Sequence, residues 1–211
     1  MMRLKHWIVY ILLISVFTVC QKTVSPEDSL NDVIQALIKV PQTRQATGYT
    51  CGVAALQSLL YYYGDEWRQD RLEKALDADS TNGTNYRNIV TFCQDLGYTT
   101  NLYFNLSLDS LKSMINRDIP VMLAIQAWAD LPIDYKNEWE SGHYVICIGY
   151  DQDRFYFMDP STIDNYTYIP TSEFIDRWHD IDQEGIRLYS FGLTIFKGTP
   201  SFNPENIPKL E

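Results

Sequence analysis

Residues Gln45 to Cys51 read QATGYTC, and their types and order are those of acyl-transfer chemistry. An apolar stripe at Val53, Leu56, Leu60 and Tyr63 follows at helical spacing and Gly64 ends it, so Cys51 stands where a helix begins. The positive end of a helix macrodipole favours thiolate over thiol, and the thiolate is the nucleophile. The Cys51 N–H lies in the first turn, where no intrahelical partner exists for it. Gln45, at the end of the connecting loop, can fold its side-chain amide beside that N–H, and two donors aimed at one point make an oxyanion hole. A cysteine opening a helix is also commonly just a small buried residue, so other residues must decide between the two readings.

Such a nucleophile needs a base, and the chain has only 3 histidines. His6 lies in the N-terminal apolar region, His179 ends a helical stretch in RWHD, and His143 opens a strand behind Ser141 and Gly142. These two small residues leave one side of the imidazole open, which makes His143 the candidate base and Gly142 a candidate substrate contact. An imidazole kept in one tautomer needs an acceptor at its other nitrogen. Asp159, at the end of FYFMDP, arrives across an expected hairpin turn at residues 151–153. With a three-residue loop, position 161 faces His143 and Asp159 lies on the adjacent diagonal, roughly 7 to 8 Å away between α-carbons. An even loop would put the two residues on opposite faces of the sheet. Tyr49, beside the nucleophile, and Trp128, ending an apolar strand, are further candidate substrate contacts. Trp128 precedes the stretch ADLPIDYKNEWESG before His143 and Trp139 lies within it; the two either wall a cleft or anchor that stretch.

The elements that must position these groups are legible in outline. Helical spacing predicts helices over 65–77, 84–96 with Gly97 as stop, 108–116 with Ser107 as cap, and 172–178. An earlier helix is expected from Ser25, with Leu30, Val33, Ile34, Leu37 and Ile38 on one face. Strands are expected over 99–106, 120–128, 143–150, 154–159 and 186–196, from alternation and from β-branched and aromatic content. Helices first and strands later indicate an α+β domain with a helical layer on an antiparallel sheet.

The sequence has 211 residues, with 45% hydrophobic and 14% aromatic, which supports one domain with a real core. A net charge of −10 excludes nucleic acid as a natural partner. Arg3 and Lys5 precede an apolar run from Trp7 to Val19, shorter than the roughly 20 residues of a bilayer span. Residues 1–20 therefore read as a signal peptide, 21–198 as the domain and 199–211 as a loose tail. Export follows, to periplasm, envelope or medium. Cys20 ends the run as FTVC, the position of a lipid-acceptor cysteine, which would attach the chain to a membrane. Cys93 and Cys147 form either a disulfide or two buried thiols. Neither the histidines nor the acids have metal-ligand spacing, so no cofactor or metal is expected.

QATGYTCGVAALQSLL, GHYVICIGYD and FYFMDPS resemble the double-glycine-leader (bacteriocin-processing) cysteine peptidases, and more closely their stand-alone relatives, within the papain-like superfamily. The resemblance runs from about Val40 to Lys197. It implies the papain-like fold, with Cys51 as nucleophile, His143 as general base and acid, Asp159 as the orienting acid and Gln45 as oxyanion donor. It also implies a peptide or protein substrate. The same four residues would serve an acyltransferase or amidase, or persist in a binding module that does not turn over.

Overall fold

The structure is a computed structural model that describes residues 34–130, 132–162, 165–207 and 209–210. Strand β1 is Ala36–Leu37, followed by helices α1 (Cys51–Tyr63), α2 (Gln69–Ala75) and α3 (Tyr86–Asp95). Strand β2 (Thr99–Tyr103), helix α4 (Leu108–Ile115) and strands β3 (Val121–Gln126), β4 (Gly142–Tyr150), β5 (Arg154–Met158) and β6 (Thr167–Pro170) come next. Helix α5 (Thr171–Arg177), a small hairpin of β7 (His179–Ile181) and β8 (Arg187–Tyr189), and strand β9 (Gly192–Phe196) complete the order. The main sheet is antiparallel in the order β2-β9-β3-β4-β5-β6, with β1 paired to the far end of β4.

Helix α1 packs against β4 and is buried nearly all round: Val53, Leu56, Leu59 and Leu60 have no more than 1% of their surface exposed. Gly64, at φ 93°, ends it in a left-handed cap, with the Asp65 N–H donating to the Leu60 carbonyl at 2.9 Å. Opposite it, every residue of β3 is buried. The helix that begins with Cys51 and the strand that carries His143 are thus pressed together by the core itself.

The β4–β5 hairpin reaches the expected register by another route. The Asp151 N–H donates to the Arg154 carbonyl at 3.0 Å, closing a loop of Gln152 and Asp153, which is even. Next to the turn Tyr150 faces Phe155 and Gly149 faces Tyr156. Continued unchanged, that register would set Asp159 opposite Ile146 and on the wrong face. A bulge between Cys147 and Gly149 inserts one residue, so that Cys147 faces Phe157 and Ile146 faces Met158. Extended along both strands, the shifted register sets position 161 opposite His143, as the chemistry requires.

Several elements differ from the expectations. Residues 34–38 are not helical, and the earlier part of the expected helix lies outside the described residues, as does the expected signal peptide. Ile38 and Val40 are buried in alternation, and the Ile38 N–H donates to the Ile148 carbonyl at 2.7 Å, which draws the segment onto β4. The helix over 65–77 begins only at Gln69, because the Trp67 carbonyl accepts from Gln57 and Tyr61 and holds the preceding residues extended. The strand over 186–196 is broken at Ser190, where φ is 44° and the N–H donates to the Trp178 carbonyl. Strands β6 and β7 were not anticipated. The segment from Thr199 is tied at two points, where the Ser201 and Phe202 N–H groups donate to the Tyr62 carbonyl at 3.0 and 3.2 Å. Cys51, Cys93 and Cys147 are free thiols; Cys93 and Cys147 are buried, and burial raises both pKa values, that of Cys93 to about 12.

Gly149 is where β1 and β4 approach most closely: an added β-carbon would lie 2.5 Å from the Ala36 carbonyl oxygen. Gly149→Ala should therefore destabilise the fold by about 1 to 3 kcal/mol, measured as a lower urea midpoint with unchanged slope.

Candidate active site

Cys51 is the first residue of α1, and the loop before it is held at several points. The Thr43 hydroxyl donates to the Ala54 carbonyl at 2.6 Å. The Gln69 side chain donates to the Arg44 carbonyl at 2.6 Å and accepts from the Ala46 N–H at 3.1 Å. These bonds fix the entry angle of the chain into the helix, and with it the direction of the Cys51 side chain.

His143 is 6% exposed and Asp159 8% exposed, and His143 Nε2 meets Asp159 Oδ1 at 2.7 Å. With Nε2 committed there, Nδ1 is the nitrogen left to face Cys51, whose pKa His143 lowers. Asp159 has further partners: Oδ1 accepts from the Ser161 N–H at 2.8 Å and Oδ2 from the Thr162 hydroxyl at 2.9 Å. Burial pushes its pKa up, but His143 and these donors outweigh burial and hold it below the ordinary carboxylate value. Burial likewise opposes charge on Cys51 and His143. The hydrogen bond and charge attraction between them, together with the Tyr144 and Gly52 backbone donors on Cys51, leave the thiol below its ordinary pKa. His143 is raised to about 9. The balance favours a thiolate–imidazolium pair.

Gln45 is stapled to the turn after Asp159. Its N–H donates to the Pro160 carbonyl at 3.0 Å, and its Oε1 accepts from the Ser161 hydroxyl at 3.0 Å. One Nε2 hydrogen goes to the Thr47 carbonyl at 2.8 Å, leaving the second available. Sequence spacing gave no reason to single out Ser161, yet it is the residue that joins Asp159 to Gln45.

Two clefts flank this line of residues. The first, about 520 Å³, is lined by Cys51 with Tyr49, Thr84, Trp139, Gly142 and Asp180 among others. The second, about 420 Å³, is lined by His143 and Asp159 with Trp128, Tyr135, Phe157 and Tyr168 among others. Trp128, 62% exposed and at φ 63°, therefore lies across the catalytic line from Trp139 instead of facing it in one cleft. Trp139 packs on His179 at 4.2 Å between ring centroids, and His179 Nε2 is bonded to the Glu138 carbonyl, which gives His179 a structural place. Tyr49 donates to Glu73 at 2.7 Å at the cleft edge. Gly142 makes room for protein: a β-carbon there would lie 2.5 Å from Asp180 Oδ1.

Asp180 and Gln126 escaped the sequence reading, one in a helix-end motif and the other in an apolar run. Gln126 is fully buried; its side chain accepts from the Ser141 N–H and donates to the His179 carbonyl and Asp180 Oδ1. It pins the start of β4, and so His143, to the β7–β8 hairpin. Burial raises the Asp180 pKa to about 6, against its Ile181 and Gln126 donors. Among the described residues, no group of three or more His, Cys, Asp or Glu side chains converges as a metal site.

The model of the Peptidase_C39 like family matches residues 37–186. The chain belongs to that family. No curated protein sequence matches it. A structure from Bacillus anthracis described as a C39-like peptidase superposes with a TM-score of 0.61 at 20% identity, covering 80% of this chain and 100% of that one. A double glycine motif protease from an AMS/PCAT transporter, solved with a leader peptide, gives 0.55 at 20% identity, covering 77% and 95%. The peptidase domain of Streptococcus ComA, a bi-functional ABC transporter of a quorum-sensing pathway, gives 0.54 at 19%, covering 75% and 96%. These likenesses establish the shared α+β, papain-like fold of the C39 peptidases, and family and fold together indicate a peptidase-like function.

The electrostatics of the pair are measurable without a substrate. Alkylation of Cys51 by iodoacetamide should rise with pH through a midpoint below the roughly 8.5 of a free thiol. His143→Ala should move that midpoint upward, since burial would then act on the thiolate without its counter-charge. An identical profile for the two proteins would contradict the assignment.

Proposed function

We propose that the chain is an exported cysteine peptidase that cleaves peptide bonds through Cys51, His143 and Asp159. The observation that carries the reading is the buried 2.7 Å bond between His143 and Asp159, with a thiol at a helix N-terminus whose pKa His143 lowers. The Cys51 thiolate attacks the scissile carbonyl. The oxyanion is met by the Cys51 N–H and the second Nε2 hydrogen of Gln45. The His143 imidazolium gives its proton to the departing amine, leaving a thioester on Cys51. Neutral imidazole then takes a proton from water as it attacks, the thioester breaks, and the thiolate–imidazolium pair is restored. Asp159 holds the ring in one orientation through both halves and stabilises its charged form.

A peptide substrate is supported by the relative solved with a leader peptide. Export is supported by Arg3, Lys5 and the apolar run that follows, and Cys20 offers membrane attachment by lipidation. Outside the cell or in its envelope, the three thiols of the domain would meet oxidising conditions. Two are shielded by burial, and Cys51 alone is half-exposed.

Incubation of the purified domain with a proteome-derived peptide library, read by mass spectrometry, tests the reading. Cleavage should vanish in Cys51→Ala and His143→Ala and fall about 10²- to 10³-fold in Gln45→Ala. Undiminished cleavage by the folded Cys51→Ala protein would refute it.

A further inference from the structure

The cleft that holds Cys51 is polar and its charge has one sign. Glu140, Asp180 and Asp182 line it, and no lysine or arginine does among the described residues. Asp182 is compensated, because Arg87 bonds it at 3.0 Å and also reaches Glu184 at 3.3 Å. Arg187 is spent over the face of Trp139, 4.6 Å from the ring centroid. Asp180 has no such partner. Its Oδ1 accepts from the Ile181 N–H at 2.8 Å and the Gln126 amide at 3.1 Å, while Oδ2 accepts no hydrogen bond from any described residue.

A second acceptor lies in the same cleft. Thr84 is 5% exposed, and its Oγ1 is buried with no hydrogen-bond partner among the described residues. It sits against the start of α1: a β-carbon on Gly52, next to the nucleophile, would lie 3.0 Å from that oxygen. An unpaired, partly buried carboxylate carries an energetic cost that a donor-rich cation would relieve. Tyr86, Trp139 and Tyr144 complete the lining with aromatic edges against which an alkyl stem can pack. The volume, about 520 Å³, far exceeds what a glycine beside the scissile bond would fill.

We propose that this cleft is a subsite for a cationic side chain, Arg or Lys, of a peptide substrate, and that Asp180 is the residue that selects it. The proposal rests on the peptidase reading of the site. The carboxylate packs over Gly142, the residue before His143, so the selected side chain belongs to a residue close to the cleaved bond.

The test uses positional-scanning hexapeptide libraries in which one position at a time carries Arg, Lys, citrulline, Leu or Gly. Citrulline keeps the shape of Arg without its charge. At one position near the cleaved bond, Arg and Lys should exceed citrulline in kcat/KM by about tenfold or more. In Asp180→Asn, which keeps an acceptor for Gln126 and Ile181, that ratio should collapse toward one. Equal rates for Arg and citrulline in the native protein, or an unchanged ratio in Asp180→Asn, would overturn the proposal. If the native protein cleaves nothing, the peptidase reading fails and retention of the same libraries on the Cys51→Ala protein decides the subsite. Retention of Arg over citrulline peptides there supports it, and retention without regard to charge refutes it.

Discussion

A buried imidazole and a buried carboxylate 2.7 Å apart constrain everything else in this molecule. Neither group tolerates burial alone, and each tolerates it beside the other with its remaining positions bonded. Asp159 meets that condition through Ser161 and Thr162. The pair exists only if two neighbouring strands present these residues on one face. Sheet register is therefore the quantity on which the chemistry turns, and the bulge between Cys147 and Gly149 is what sets it.

The site was more legible in the sequence than the fold around it. Cys51, Gln45, His143 and Asp159, the candidates for nucleophile, donor, base and orienting acid, stand out by type and order, and histidine is scarce. Hairpin parity predicted that position 161 should face His143, and it does in the extended register. The route differs because a two-residue loop and a bulge together are equivalent, modulo two, to the simpler odd loop. Parity survives such compensations, whereas turn length does not. Strands β6 and β7 left little trace, being short, half-exposed segments whose pairing partners, not their own composition, make them extended. The segment at 34–38 has helical spacing, yet an open edge of β4 recruits it as β1. Long-range pairing there outweighs local preference.

Asp180 and Thr84 are of another kind. Nothing in RWHD or in NGTN marks a residue facing the nucleophile, because the β7–β8 hairpin and the loop before α3 reach the cleft only through tertiary folding. Residues that do the chemistry leave a signature in order and type. Residues that shape the neighbourhood of the substrate are interchangeable at the level of composition, and only their place in space gives them meaning.

The sheet order β2-β9-β3 has a consequence for how the molecule comes into being. Its last strand lies between two others, and the amides of Ser201 and Phe202 bind the carbonyl of Tyr62 near the end of the nucleophile's own helix. A chain made from its N-terminus carries Cys51, His143 and Asp159 before it carries β9. β2 and β3 are joined in one sheet only through residues 192–196. The strand that carries no candidate residue is thus the one that joins β2 and its neighbouring helices to the strands bearing His143 and Asp159.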